Sequence, residues 1–303
     1  MGAVSAIEIT DLRKSYGEFE AVRGIDLRVD VGEVFAFLGP NGAGKTTTVE
    51  ILEGYRERNA GEVRVLGVDP VDGDARWRER IGIVLQECRM EPVLTVRETL
   101  SLYAGYYRAP RDVEETIALV GLAEKADDRA GKLSGGQQRR LDVALALIGD
   151  AELLFLDEPT TGFDPSARRQ AWEVIASLRD LGKTVFLTTH YMDEAQFLAD
   201  RVAIIRDGRI VADGKPNELG GRAEAATKIS FMPPSGARLP ALKGAAAAQD
   251  RRGSFVEITT TDPTRVLNEL TGWAMREGFE LTGLAVSQPS LEDVYLELTE
   301  DSA

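Results

Sequence analysis

The sequence is poor in several features, and each shortage excludes a class of structure. Cys88 is the single cysteine among 303 residues, so an internal disulfide is impossible and nothing points to an oxidising compartment. No apolar run reaches the ~18 residues that a membrane-spanning helix needs, so we expect none. Residues 1–12 lack the basic segment and apolar core of a signal peptide, so we expect no such signal.

Positive charge is also in short supply. The chain has 36 Lys and Arg against 50 Asp and Glu, a net charge of −14. This balance argues against broad electrostatic binding to nucleic acid or to an anionic membrane surface.

The length and the apolar content of the sequence suit a globular protein. Its 303 residues, 43% of them hydrophobic, are enough for one large domain and a smaller one.

Residues 39–47 form the most informative stretch, because they fit the phosphate-binding pattern G-x-x-x-x-G-K-[ST]. We call them the phosphate loop. An apolar run, Val34–Leu38, precedes the loop and is typical of a buried strand, and residues 46–54 can form a helix. The members of the loop are Gly39, Pro40, Asn41, Gly42, Ala43, Gly44, Lys45, Thr46 and Thr47.

Each part of the phosphate loop has a physical task. Its glycines let several backbone N–H groups point into one concavity that suits anionic oxygens. Lys45 supplies a positive charge for the β- and γ-phosphates, and the Thr46 hydroxyl can ligate Mg²⁺. The alternative is a glycine-rich turn that matches by chance. The strand before the loop and the helix after it favour nucleotide phosphate binding.

Two carboxylates follow a second apolar run. Leu153–Asp157 is typical of a strand buried on both faces of a parallel sheet, and Glu158 comes next. Beside a phosphate loop, Asp157 can hold Mg²⁺ and Glu158 can act as a general base on the attacking water. The alternative is a charged turn after a strand, and the phosphate loop upstream favours the catalytic interpretation.

The rest of the pattern predicts the domain organisation. Early alternating strands without intervening helices predict an antiparallel sheet beside the nucleotide core. Residues 87–131 read as mainly helical. Pro, Gly and Ala residues at 215–226 mark a boundary, and a small α+β unit follows. Within that unit, residues 233–252 are expected to be loop.

The second distinctive motif is residues 133–138, Leu-Ser-Gly-Gly-Gln-Gln, which we call the signature stretch. Ser134 can cap a helix, and the two glycines after it can expose backbone N–H groups to an anion. The alternative is an ordinary glycine-containing helix start. By itself this motif does not decide between the two.

Taken in order, these motifs resemble the nucleotide-binding subunit of an ABC transporter over about residues 7–215. The resemblance implies an α/β fold: a P-loop NTPase core with a RecA-like, mainly parallel sheet, an antiparallel β subdomain and a helical subdomain at about 87–150. It implies an ATP-binding domain over 1–221 and a C-terminal α+β domain, regulatory or dimerising, over 222–303.

The resemblance also implies roles for single residues. Tyr16 would stack on adenine, although a core aromatic at a strand end is the alternative. Gln86 would reach Mg²⁺ and the attacking water. His190 is the only histidine, and a lone histidine is usually structural. In this family its position after a core strand would let it bond the γ-phosphate and orient the water near Glu158.

A second copy of the chain would complete the site. The resemblance implies a head-to-tail homodimer with two ATP molecules at its interface, each held by one subunit's phosphate loop and the other's signature stretch. Asp164 would connect the two sites, and Phe163 stands where leucine is more usual. The signature residues that would bind nucleotide are Ser134, Gly135, Gly136 and Gln137.

The chain's end indicates a branch of the family. Residues 288–298 resemble the tail of exporter ATPases of the daunorubicin/doxorubicin-resistance type. We therefore expect an ATPase that exports a hydrophobic small molecule or lipid-like cargo through a separate membrane permease. It would be peripheral, at the cytoplasmic face of the membrane, with ATP and Mg²⁺ as cofactors and no nucleic-acid partner. The alternatives are a soluble ABC switch acting on ribosomes or DNA, and an import ATPase.

Overall fold

The computed structural model describes residues 4–84, 91–219, 226–234, 239–240, 242, 245–249, 255–288 and 290–299. The chain divides into two units, Met1–Pro216 and Asn217–Ala303. The strands of the first unit are β1 (Ser5–Tyr16), β2 (Phe19–Asp30), β3 (Val34–Leu38), β4 (Ala60–Val65), β5 (Ile81–Val84), β6 (Leu153–Asp157), β7 (Thr184–Thr189), β8 (Arg201–Arg206) and β9 (Arg209–Gly214). Its helices are α1 (Lys45–Leu52), α2 (Ala75–Glu79), α3 (Val96–Ala104), α4 (Val113–Leu119), α5 (Gly135–Leu147), α6 (Pro165–Asp180) and α7 (Met192–Leu198).

The central sheet has the order β5-β6-β7-β3-β8-β9. Its neighbours are parallel except at the β8/β9 edge, which is an antiparallel hairpin. β3 and β7 are buried at every position. β3 is apolar throughout and β7 has an apolar centre, residues 185–187, as suits strands covered on both faces. The predicted mainly parallel core is confirmed. Its strand ends bring residues distant in sequence to one edge of the sheet.

Aromatic packing holds the middle of this sheet together. The Phe186 ring on β7 lies 5.3 Å from Phe35, and 5.7 Å from both Phe37 and Phe155, measured between ring centroids. The rings are tilted against one another, an arrangement that aromatic pairs favour. Phe186 therefore ties β7 to the strands that lead into the phosphate loop and into Asp157.

A separate antiparallel sheet, β2-β1-β4, confirms the expectation drawn from the early alternating strands. Inward-facing residues of these strands share one core with the central sheet, and Ile7, Leu12 and Val65 are fully buried there. The stretch predicted to be mainly helical, residues 87–131, contains α3 and α4, and α5 follows it. α3 begins with a capping box, in which the side chains of Thr95 and Glu98 each accept a hydrogen bond from the other residue's backbone N–H.

The second unit is an antiparallel sheet with helices. Its elements are β10 (Thr227–Met232), β11 (Ala245–Gln249), β12 (Val256–Thr260), α8 (Pro263–Glu277), β13 (Thr282–Ser287) and α9 (Leu291–Thr299). Val266, Leu270 and Trp273 of α8 share a core with the inward-facing residues of the sheet.

One expectation about this unit is wrong. Residues 233–252 are not loop throughout, since β11 lies within them and pairs antiparallel with β12 from Ala245–Thr260 to Gln249–Val256. Alanine has a low strand propensity, so its run looked unlike a strand. Backbone hydrogen bonds to β12 override that propensity, because they do not depend on the side chain.

Candidate nucleotide site

The phosphate loop lies where the strand-loop-helix pattern predicts, between β3 and α1. Gly44 adopts φ 107°, and a Cβ atom built there would lie 2.4 Å from the Ala21 carbonyl oxygen. At Gly39 a Cβ atom would lie 2.4 Å from the Ile205 carbonyl oxygen. Both positions therefore need glycine, which indicates a tightly built concavity rather than an incidental turn.

Lys45 opens α1 and is only 8% exposed. Its Nζ donates to the carbonyl oxygens of Gly39 (2.6 Å) and Pro40 (3.1 Å), so it curls back over its own loop. Burial lowers the pKa of Lys45, while the nearby charges of Glu158 and Asp157 raise it in part. An anion placed in the loop would favour the charged lysine for the same electrostatic reason.

Asp157 and Glu158 lie at the carboxyl end of β6, beside the end of β7. The Thr188 hydroxyl on β7 donates to Asp157 Oδ1. The backbone N–H of Glu158 donates to the Thr188 carbonyl oxygen at 3.1 Å. Glu158 itself has φ 46°, a left-handed conformation that a non-glycine residue rarely adopts. Such strain persists only where neighbours fix the backbone, and it is common at functional sites.

His190 follows β7 and contacts the same carboxylate. Its Nδ1 lies 3.2 Å from Glu158 Oε1, and the Thr161 hydroxyl donates to Glu158 Oε2 at 3.1 Å. The His190 side chain is 43% exposed and that of Glu158 is 16% exposed. The carboxylate is thus held from both sides, while the imidazole still faces solvent from which a substrate can arrive.

Tyr16 lies beside the phosphate loop, with its hydroxyl 3.5 Å from Thr47 Oγ1. Tyr16 is 42% exposed, so it is not the core aromatic of the alternative interpretation. The cationic groups of Lys14 and Arg56 lie 5.4 Å and 5.2 Å from the ring centre. An exposed ring next to the loop is available to stack on a flat ligand.

The signature stretch occupies a different place. Ser134 caps α5 in a capping box with Gln137, and Asp164 caps α6 by accepting from two backbone N–H groups. A cavity of about 200 Å³ lies between these helix starts. Its lining residues are Ser134, Gly136, Gln137, Arg140, Asp164, Ser166, Ala167 and Gln170. The structure thus gathers Asp164 with the signature residues and not with the phosphate loop.

Gln86, which is predicted to reach Mg²⁺ and the attacking water, lies outside the described residues.

Thr188 and Arg139 lie at the site but were not predicted from the sequence. The signal for Thr188 was a polar residue ending a buried strand, and for Arg139 a charge within the buried face of α5. Neither signal says what the side chain contacts.

Comparison with known proteins decides the family. The model for ABC transporters matches residues 22–161, and a model for the C-terminal domain of ABC transporter domain-containing proteins matches residues 227–290. The Nod factor export ATP-binding protein I of Rhizobium etli is 39% identical over 98% of this chain and 94% of its own. The chain belongs to the ATP-binding subunits of ABC transporters.

Other members of this ABC family agree in sequence and in fold. The daunorubicin resistance ATP-binding protein DrrA3 of Streptomyces coeruleorubidus is 37% identical over 99% of this chain and 97% of its own. A solved ATP-binding cassette, MJ0796, described as a dimeric post-hydrolysis state bound to ADP and Pi, is 27% identical. It covers 69% of this chain and 98% of its own, with a TM-score of 0.61. The ABC cassette fold and nucleotide binding follow from these matches.

Proposed function

We propose that this ABC subunit hydrolyses ATP to power export of a hydrophobic small molecule or lipid-like cargo through a separate membrane subunit. The observation that carries the proposal is the contact between His190 Nδ1 and Glu158 Oε1 at 3.2 Å, at the same sheet edge as the phosphate loop. The charge of Glu158 also acts on the pKa of Lys45, so a candidate base, its orienting partner and the phosphate loop lie near one another. Relatives named for Nod factor export and daunorubicin resistance support the export branch.

The donor set fits ATP with Mg²⁺. The glycine-rich loop and the buried Lys45 ammonium group suit phosphate oxygens. Lys45 Nζ donates to two backbone carbonyl oxygens, and phosphate oxygens could take the place of these acceptors. Thr46 and Asp157 offer hard oxygen ligands, which Mg²⁺ prefers and supplements with water and phosphate oxygens. Mg²⁺, when bound, neutralises charge on those phosphates. Gln86 remains a proposed further ligand.

Glu158 is the proposed general base. Its two carboxylate oxygens are fixed by His190 and Thr161, so it can accept a proton from a water without first reorienting. His190 orients Glu158 and, being half exposed, is free to donate to a γ-phosphate oxygen. Lys45 and the loop N–H groups stabilise the charge that develops on the phosphate.

A second subunit completes the site in this proposal. The cavity beside Ser134 and Asp164 carries the backbone N–H groups of a helix start, and these suit a γ-phosphate. Its lining residues are separate from the phosphate loop of the same chain. A head-to-tail homodimer would bring one chain's cavity to the other's loop, and the dimeric MJ0796 cassette supports such an assembly.

The described residues include no helix long and apolar enough to cross a membrane. We propose that a permease supplies the spanning part and that this chain sits against it at the cytoplasmic face. The gene beside this one tests the exporter branch. A six-span membrane protein there would support transport, and a ribosomal or repair protein would contradict it.

Phosphate release by the purified chain tests hydrolysis. Glu158→Gln keeps the side chain's size and removes the base, so turnover should fall by about 10²- to 10⁴-fold. Glu152→Gln is the matched control, since Glu152 precedes the other end of the same strand and pairs with Arg80 at the surface. It should keep normal turnover. Unchanged turnover in Glu158→Gln would remove Glu158 from its proposed role.

A further inference from the structure

Arg139 is a buried charge on the helix that carries the signature stretch. It lies five residues beyond Ser134 on α5 and is only 8% exposed. Arginine is rarely buried to this extent unless it is paired. Its Nη1 lies 3.7 Å from Oδ2 of Asp142, one turn further along the same helix. This carboxylate compensates the charge and orients the guanidinium.

The other guanidinium nitrogens reach the loop of the proposed base. Nη2 of Arg139 donates to the Asp157 carbonyl oxygen at 2.7 Å and lies 3.5 Å from that of Glu158. Nε donates to the Pro159 carbonyl oxygen at 3.1 Å. One side chain therefore contacts three consecutive carbonyl groups, and the strained Glu158 is the middle one.

This geometry requires the planar fork of an arginine. A lysine carries the same charge but is a point donor and cannot reach carbonyls in several fixed directions. Glu158 keeps φ 46° because neighbours fix its backbone. On one side Thr188 accepts from the Glu158 N–H, and on the other Arg139 holds the carbonyls.

We propose that Arg139 is a positioning residue for ATP hydrolysis: it holds the backbone of residues 157–159 so that the Glu158 carboxylate meets the attacking water. The inference rests on the proposed role of Glu158 as general base. Arg139 does not itself contact the reacting atoms. It fixes the loop of Glu158 to the helix that begins at the signature stretch.

Arg139→Lys is the direct test. The charge beside Asp142 is kept and the fork is lost, so the base should be misplaced without loss of the nucleotide site. Since a misplacement of about 1 Å can cost about 10²-fold in rate, we expect kcat to fall by roughly that factor. KM for ATP should stay within about threefold, because binding depends on the phosphate loop. A change in KM alone, or no change in kcat, would overturn the proposal.

A double substitution separates positioning from a general structural role. If Arg139 acts through Glu158, Arg139→Lys should cost nothing further once Glu158→Gln has removed the base. The double variant should therefore turn over as slowly as Glu158→Gln alone. A further, multiplicative loss of about 10²-fold in the double variant would contradict the proposal.

Arg80→Gln is the matched control. Arg80 pairs with Glu152 and donates to the Leu66 carbonyl oxygen, at the end of the sheet opposite the site. Its variant should retain wild-type kcat. Circular dichroism checks folding, and Arg139→Gln serves as a second variant that keeps an N–H donor without the charge. Failure of both Arg139 variants to fold would assign Arg139 a structural role and overturn the proposal.

The outcomes also separate this inference from the proposed function. Normal turnover in Glu158→Gln would overturn the base assignment and with it the role of Arg139. Loss of turnover in Glu158→Gln, combined with a normal kcat in Arg139→Lys, would overturn the Arg139 proposal alone.

Discussion

We expect the stability of the protein to depend on pH through the buried carboxyl group of Glu53. It caps the C-terminal end of α1 and is 8% exposed, at the wall of a cavity of about 410 Å³ that Trp77 and Tyr103 also line. Burial, aided by the charges of Asp157 and Glu50, raises the pKa of Glu53 from 4.5 to about 8. Folding therefore favours the protonated carboxyl.

The sign and size of the effect follow from linkage. Between pH 4.5 and about 8 the folded chain binds a proton at Glu53 that the unfolded chain has released, so stability falls as pH rises through this window. The loss of folding stability is at most about 1.4 kcal/mol per pH unit, or about 5 kcal/mol over the whole shift in the pKa of Glu53. Because the adjoining cavity is large enough to admit water that would screen the charge, we expect a loss of roughly 2–3 kcal/mol.

Glu53→Gln removes this titration while keeping the side chain's shape. Urea unfolding between pH 5 and 9, followed by circular dichroism, should show the variant gaining about 2–3 kcal/mol on the wild type as pH rises. Glu152→Gln is the control: the hydrogen bond from Arg80 lowers the pKa of Glu152, so this group does not titrate in the window. Parallel stability curves for the wild type and Glu53→Gln would show that Glu53 does not titrate between pH 5 and 9.

Three further predictions address the site and the core. Gly44→Ala places a Cβ atom 2.4 Å from the Ala21 carbonyl oxygen, at a residue with positive φ. ATP affinity measured by calorimetry should therefore fall by more than about tenfold. Near-normal affinity would show that the loop does not need glycine at this position. Ser134→Arg fills the signature cavity and should abolish ATP-driven dimers in sedimentation while leaving monomer ATP binding within about threefold. Phe186→Ala removes the ring shared by three neighbours and should cost about 3–5 kcal/mol in urea unfolding; a loss below about 1 kcal/mol would show that the core closes over the gap.

The phosphate loop and the central strands could be predicted from the sequence because their signals are local. A continuous apolar run such as residues 153–156 needs burial on both faces, and a glycine-rich turn after a strand needs close backbone approach. The sequence patterns that reveal these features lie within a few neighbouring residues. These patterns can be recognised without knowledge of the strand order in the sheet.

Contacts between distant segments could not be predicted in the same way. Thr188 meets Asp157 only because β6 and β7 are adjacent, and Arg139 meets residues 157–159 only because α5 lies beside that sheet edge. The β11 strand was not predicted because it pairs with β12 through backbone hydrogen bonds, which a run of alanines does not indicate. These features depend on topology, which local patterns do not contain.

We propose that each chain carries half of an ATP site and that a second copy completes it. Sedimentation velocity of Glu158→Gln, with ATP and with ADP, measures whether ATP brings two copies together. We expect Glu158→Gln to hydrolyse ATP very slowly, so ATP should hold it as a dimer. ADP should leave it monomeric because the γ-phosphate contact is missing. A chain that stays monomeric at saturating ATP, or that dimerises equally with ADP, would contradict the account.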